Sequence, residues 1–187
     1  LPGDLRFVDR NNDGAIDTED RTFIGSPIPE YIFGMSFSAD IYGFDISAFA
    51  DAQVGRDLVR NYARNLPLTN RTAYSIDRWH GEGTSTDTPR ITTGATNNNL
   101  FSDYFIEDGS YLRIKTIQVG YTIPKYRAQS VGLENVRIYG SVSNPFTFTR
   151  YQGFDPNISS GNPLNSGIDI GYYPQARTYI AGIKITL

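Results

Sequence analysis

Apolar and polar residues alternate along five segments of the chain, 31–41, 44–54, 110–123, 136–148 and 177–187. In the last segment the apolar positions are Tyr179, Ala181, Ile183, Ile185 and Leu187. Successive side chains of an extended strand point to opposite faces, so a period of two indicates a strand with one apolar and one polar face. The pattern therefore predicts an all-β fold with about five such strands.

The lengths of the strands and of their connections favour a membrane barrel. Strands of about ten residues cross a bilayer when they are tilted. Short links at 42–43 and 124–135 alternate with long links at 55–108 and 150–176. Outer-membrane barrels have short periplasmic turns and long extracellular loops. This predicts an extracellular position for residues 1–30, which precede the first strand.

Five strands cannot close such a barrel, because the smallest barrels of this class have about eight. A sheet that spans a bilayer cannot leave an edge unpaired. We therefore expect the outer strands to pair with strands outside this sequence, in a longer protein or in a barrel built from several chains. The chain itself divides into a loop segment, 1–30, and a segment of strands and loops, 31–187.

The third strand segment changes phase part-way along its length. Ile117 and Val119 alternate regularly with polar residues, whereas Leu112 and Ile114 take the opposite parity. The change predicts either a β-bulge near Lys115 and Thr116 or a strand that leaves the membrane at that point.

Residues 9–20 have the spacing of an EF-hand calcium loop. The ligands would be the side chains of Asp9, Asn11, Asp13, Asp17 and Asp20, with the backbone carbonyl of Ala15. Gly14 stands where the loop must turn sharply. Hard oxygen ligands at alternate positions suit Ca²⁺, although the last ligand is Asp instead of the longer Glu. The alternative is an Asp/Asn/Gly-rich turn that binds no metal.

Composition argues against several classes of function. The net charge is -3, which argues against a nucleic-acid-binding surface. The chain has one His, no Cys, and neither a Gly-x-Ser-x-Gly elbow nor a metal-hydrolase motif, so we do not expect an enzyme. It also has no run of about 18 apolar residues, so no transmembrane helix is predicted.

The long link 55–108 contains three aromatic residues that are candidates for a ligand or partner surface, Tyr74, Trp79 and Tyr104. Links of this length are unusual in compact domains but common on the outer side of membrane barrels. The alternative is that these rings only pack the loops together.

Several motifs follow one another in a characteristic order. They are the run 2–7, the loop 9–20, the run 20–25, the run 105–115, Gly120-Tyr121-Thr122-Ile123-Pro124, the run 136–139, Asn144-Pro145-Phe146-Thr147-Phe148 and Gly153-Phe154-Asp155-Pro156. This succession resembles the C-terminal part of the SusC/RagA group of TonB-dependent outer-membrane transporters of Bacteroidota. The resemblance covers nearly the whole chain and is weakest at 55–100.

The resemblance implies a barrel of about 22 strands that is filled by an N-terminal plug. It also implies a SusD-like surface lipoprotein as a lid, energy from the TonB–ExbB–ExbD complex through a region absent here, and import of glycan or peptide oligomers across the outer membrane. No cargo-binding residue can be carried over. The residues alone leave an alternative open: a soluble extracellular β-domain with a calcium-stapled loop, such as a carbohydrate-binding or adhesin module, whose apolar faces pack on each other.

Overall fold

The computed structural model describes residues 1–62, 70–94, 96–130, 132–158, 162 and 165–187. Its strands are β1 (Tyr31–Ile41), β2 (Phe44–Val54), β3 (Asp57–Arg60), β4 (Ile106–Asp108), β5 (Tyr111–Thr122), β6 (Asn135–Thr149), β7 (Ile168–Asp169) and β8 (Thr178–Thr186). One short α-helix, α1, spans Lys125–Gln129, and three short 3₁₀ turns lie at Ala73–Asp77, Asn97–Asn99 and Asp103–Phe105. None of the helices in the described residues is long and apolar enough to cross a membrane.

The five predicted strands form one antiparallel sheet in the order β1-β2-β5-β6-β8. Each strand pairs with the next long strand along the chain, and the prediction of an all-β fold with about five such strands is confirmed. The link between β1 and β2 is a two-residue turn in which Tyr42 and Gly43 have φ values of 50° and 86°. Positive φ at both positions is typical of a type I′ turn, whose twist matches that of the flanking strands.

The register aligns the apolar positions of all five strands on one face. Across the middle of the sheet, Ala48 lies opposite Ile117, Ile117 opposite Val142, and Val142 opposite Tyr179. This face is open in the described structure: the exposed fraction is 68% for Met35 and 64% for Ile183. The apolar side chains are therefore not sealed inside a sandwich formed by the described residues.

A β-bulge in β5 accounts for the change of phase in the third strand segment. The register shifts between Ile114 and Thr116, which leaves Lys115 without a partner in the ladder. The extra residue returns Leu112 and Ile114 to the apolar face, opposite Ala52 and Ala50 of β2. Of the two predicted explanations the bulge is confirmed, and the four residues of β5 that precede it, 111–114, are still paired with β2 or β6.

The two long links contain a second, smaller sheet, which the sequence pattern did not reveal. Its order is β4-β3-β7, with β3 antiparallel to β4 and parallel to β7. Leu58 of β3 is fully buried and packs with Tyr151 and Ile158 from the second link. The prediction of long links without sustained structure is therefore incomplete, because strands of two to four residues are too short to show a period.

Candidate functional site

The candidate site lies at the end of the large sheet where both long links begin, here called the loop end. The N-terminal segment 1–30 also docks there. The Ser26 N–H donates to the Asp57 carboxylate over 2.9 Å, and the Asp57 N–H donates to the Ser26 carbonyl over 2.7 Å. The Glu30 N–H donates to the Gly55 carbonyl. The segment that carries the predicted metal loop is thus fixed to the start of the first long link.

A second contact anchors the start of the N-terminal segment. The Arg90 guanidinium donates to both oxygens of Asp4, over 2.7 and 3.0 Å, and Asn98 donates to the same carboxylate. The bonds from Arg90, with a smaller contribution from the Thr96 hydroxyl, outweigh burial and hold the pKa of Asp4 well below its usual value. The Trp79 ring lies directly against Gly3, where a side chain on residue 3 would collide with it. Trp79 therefore packs two segments together.

The second long link is anchored to the polar face of the sheet by a buried ion pair. Arg113 of β5 donates to Asp155 over 2.5 Å, and both side chains are less than a tenth exposed. The Asn157 and Gln175 N–H groups donate to the same carboxylate over 2.8 and 3.0 Å. Burial raises the pKa of Asp155, but the bonds from Arg113 and the two backbone groups outweigh burial and leave the pKa below its usual value.

A third contact joins the two long links to each other. Arg60 of β3 forms an ion pair with Glu107 of β4 over 2.9 Å, and Glu107 also accepts a bond from the Gln152 N–H. The Arg60 guanidinium lies 4.4 Å from the ring centre of Tyr74 and 5.0 Å from that of Tyr104. Such cation–π contacts strengthen when they are shielded from water. Burial raises the pKa of Tyr104.

The three predicted aromatic residues thus separate into two groups. Tyr74 and Tyr104 meet at Arg60 and together line a shallow concavity, whose rim includes Arg71 and Phe105. Trp79 lies elsewhere, against Gly3. All three are partly buried. Trp79 packs against Gly3, and Tyr74 and Tyr104 line the concavity; a role of the three in binding a ligand or partner stays a prediction.

The predicted metal loop is closed by hydrogen bonds within residues 9–20. The Asp9 carboxylate accepts bonds from the Asn12 and Gly14 N–H groups, over 2.7 and 2.8 Å. Asp20 accepts from the Asp17 and Arg10 N–H groups, and these bonds lower the pKa of Asp20. Within the described residues, however, no three His, Cys, Asp or Glu side chains are grouped closely enough to hold one ion. The donor set matches Ca²⁺, while the carboxylates do not converge on one point.

Sequence reasoning missed the buried charged residues that hold the loop end together, Arg60, Arg113, Asp155 and Asp169. The hydroxyl of the buried Tyr151 donates to Asp169, and burial together with this bond raises the pKa of Tyr151. The sequence contains one signal: Arg113 falls on the same alternate positions as the apolar residues Ile117 and Val119. Nothing in the sequence marks Arg60 or Asp169.

The sequence comparisons find several long relatives of this chain. It is 33% identical over 192 residues to TonB-dependent receptor P3 of Formosa agariphila. This alignment covers 98% of this chain and 19% of the relative. It is 28% identical to TonB-dependent receptor SusC of Bacteroides thetaiotaomicron, over 98% of this chain and 18% of that protein. The resemblance to SusC/RagA-type TonB-dependent transporters is confirmed. No protein-family model matches the chain.

Solved structures of a SusC/RagA-type importer share the fold. The structure of the RagAB peptide transporter superposes with a TM-score of 0.72 at 23% identity, over 91% of this chain and 19% of that chain. Its open-open state gives a TM-score of 0.68 at 24% identity. The fold is therefore that of a piece of a transmembrane barrel. The chain spans about a fifth of the length of the curated relatives it matches, and those proteins are named as receptors, not as enzymes.

Proposed function

We propose that this chain forms part of the wall and outer loops of a TonB-dependent outer-membrane importer for oligomeric nutrients. The observation that carries the proposal is the exposed apolar face that runs in register through all five strands. Leaving such a face in water costs about 25 cal/mol for each Å² of apolar surface, a cost that a surrounding hydrocarbon layer removes. The opposite face, with its Ser, Asp, Gln and Arg residues, would line the interior of the barrel.

In this proposal the loop end is extracellular and the short turns are periplasmic, as in outer-membrane barrels generally. The loop end would receive glycan or peptide oligomers and would contact a SusD-like surface lipoprotein that acts as a lid. The similarity to the RagAB peptide transporter supports the class of partner and cargo without selecting between glycans and peptides. Energy would come from TonB–ExbB–ExbD through a region outside this sequence. The cell envelope would be that of a Gram-negative bacterium of the Bacteroidota.

Fractionation of cells that express the full-length protein tests the location. We expect the protein in the outer-membrane fraction, extracted only by detergent, with a folded form that migrates faster on a gel before heating. Recovery as a detergent-free soluble protein would contradict the proposal and would favour the soluble calcium-stapled domain.

Growth of a deletion strain tests the transport activity. Loss of growth on one class of oligomer as sole nutrient, with normal growth on its monomer, is the expected result. Restoration by the full-length gene, and no restoration in a strain that lacks TonB, would show that the import requires energy. Equal growth of the deletion strain on every oligomer tried would contradict the proposal.

We also propose that the 9–20 loop binds Ca²⁺ and is a structural element of the loop end. The loop contains five carboxylates against one guanidinium, and every candidate ligand is an oxygen atom. The bonds from the Asn12 and Gly14 N–H groups to Asp9 support the proposal, because they wrap the chain around the first ligand. Binding of Ca²⁺ would bring the dispersed carboxylates together around the ion. It would thereby fix the conformation of the loop that precedes β1.

Protease resistance of the loop tests this proposal directly. Calcium should slow cleavage within 9–20, and Asp13→Asn should require higher calcium for the same protection. Glu19→Gln is the matched control, since it removes one negative charge from the same loop outside the ligand positions. Equal cleavage with calcium and with chelator, or equal effects of the two substitutions, would show that the loop is a turn without a metal.

A further inference from the structure

The charged residues near the short turns form a row across the polar face. Asp40 of β1 lies directly opposite Asp45 of β2. Arg137 of β6 lies directly opposite Lys184 of β8. The two carboxylates therefore lie on β1 and β2 and the two cations on β6 and β8. The residues of β5 opposite Asp45 and Arg137, Gly120 and Thr122, carry no charge.

The inner members of the row are paired with each other across β5. The Arg137 guanidinium donates through Nε and Nη2 to the two oxygens of Asp45, the first over 2.8 Å. The pair passes over Gly120 of β5, where a Cβ atom would lie 2.6 Å from the guanidinium. A side chain at this position would have to push the ion pair aside, so the glycine lets the pair between β2 and β6 cross β5 closely.

The outer members of the row remain unpaired within the described residues. Asp40 and Lys184 are exposed, and neither has a salt-bridge partner there. Each faces a neighbour of its own sign, and that neighbour is already bound to the opposite inner residue. Like charges directly opposite each other on adjacent strands destabilise a sheet. Both edges of the sheet therefore lack a compensating charge.

We propose that Asp40 and Lys184 dock two further strands of the same barrel, a strand with Lys or Arg beside β1 and a strand with Asp or Glu beside β8. The chain spans about a fifth of its curated relatives, which leaves a long remainder to supply these strands. Each outer charge then gains a neighbour of opposite sign on its free side. The two charges would thus favour one neighbouring strand at the free edge of β1 and another at the free edge of β8.

A second copy of this chain fits the edges less well. Strands β1 and β8 run in the same direction, because an even number of antiparallel steps separates them. Direct pairing of β8 with β1 of another copy would bring Lys184 towards Asp40 but would create a parallel pair. An odd number of intervening strands keeps the sheet antiparallel, in agreement with the even strand numbers of bacterial barrels.

Charge reversal in the full-length protein tests the proposal. Reversal should destabilise the barrel if the neighbouring strands supply opposite charges, and should stabilise it if they do not. The variants are Asp40→Lys and Lys184→Glu, with Asp40→Asn and Lys184→Gln as neutral versions. Asp87→Lys, at an exposed loop carboxylate without a hydrogen bond in the described structure, is the control. The readout is the temperature at which half of the barrel loses its folded gel mobility.

If the neighbouring strands supply opposite charges, each reversal lowers this temperature, by more than the neutral variant does, while the control leaves it unchanged. If they do not, Lys184→Glu gains an attraction to Arg137 and Asp40→Lys gains one to Asp45, so the temperature rises. A rise or an unchanged temperature would overturn the proposal. The neutral variants distinguish the two cases even if a reversed barrel does not assemble.

Two further measurements identify the occupant. Reversal of the matching charge on the adjacent strand should restore the melting temperature of Asp40→Lys, and a failure of every such reversal would count against a neighbouring strand. This chain has no Cys, so once any Cys in the rest of the full-length protein is replaced by Ser, the double variant Asp40→Cys with Lys184→Cys reports contacts between copies. A disulfide-linked dimer would show a second copy at the edge and would overturn the proposal. Uptake is not the readout, so these outcomes stand apart from the import activity.

Discussion

Replacement of Asp155 by Ala should release the second long link from the sheet. Asp155 accepts bonds from Arg113 and from the Asn157 and Gln175 N–H groups. Arg113 would then be left as a buried cation with only the Thr147 hydroxyl and the Gln175 side chain as acceptors. Removal of one partner from a buried pair costs about 3–5 kcal/mol. That cost raises the local opening equilibrium by roughly two to four powers of ten.

Hydrogen exchange in the full-length barrel, followed by mass spectrometry, measures this change. Peptides from 150–176 should lose protection in Asp155→Ala, whereas peptides from β1 and β2 should exchange as in the original protein. Asp87→Ala is the matched control, because it removes an exposed carboxylate from the other long link.

A second variant separates the loss of charge compensation from the loss of packing. Arg113→Met combined with Asp155→Leu removes both charges, and replacement of a buried pair by apolar residues of similar size is often neutral or stabilising. Protection should therefore recover in the double variant relative to Asp155→Ala. Unchanged protection in Asp155→Ala itself would refute the view that this ion pair holds the link in place.

Three further predictions follow from the same structure. Gly120→Ala should lower the temperature of barrel unfolding on gels, because its Cβ would meet the ion pair between β2 and β6, whereas Gly140→Ala should not, since its Cβ would come no closer than 3.8 Å to its nearest neighbour. The pKa of Asp155 is lowered in the folded protein, so docking of the second link should be constant above pH 3.8, the usual pKa of this carboxyl. Docking should weaken as the pH falls below that value. Equal protease cleavage within 150–176 at pH 3 and pH 6 would contradict this. Arg90→Gln should leave the barrel folded but expose 1–8 to protease, because Asp4 loses the guanidinium that binds both of its oxygens. Continued resistance would show that the Asn98 bond to Asp4 and the packing of Trp79 on Gly3 hold that segment without this ion pair.

The strands of the large sheet were predictable because each one is long enough to show its period. Between nine and fifteen residues carry the alternation in each strand, and the same physical cause, one face in water and one in an apolar medium, applies along the whole length. Even the bulge left a trace, since Lys115 separates two stretches of opposite parity. The family resemblance came from short motifs, four of which fall on these strands and their ends, while three lie in the N-terminal segment and one in the second long link.

The loop end was less predictable because its contacts join residues far apart in sequence. Arg60 meets Glu107, and Arg113 meets Asp155, over separations of 47 and 42 residues. No local pattern encodes such a pair, and a buried Arg looks the same in a sequence as a solvated one. Of the predicted aromatic residues, Tyr74 and Tyr104 both lie against Arg60, which the sequence did not mark.

The small sheet β4-β3-β7 takes its strands from both long links, and the complete hairpin of β5 and β6 lies between them in the chain. A graft of one link from another importer would thus bring only part of that sheet and would leave Leu58 or its partners Tyr151 and Ile158 without a matching surface. The two links therefore depend on each other, and a chimera that exchanges one of them should exchange both.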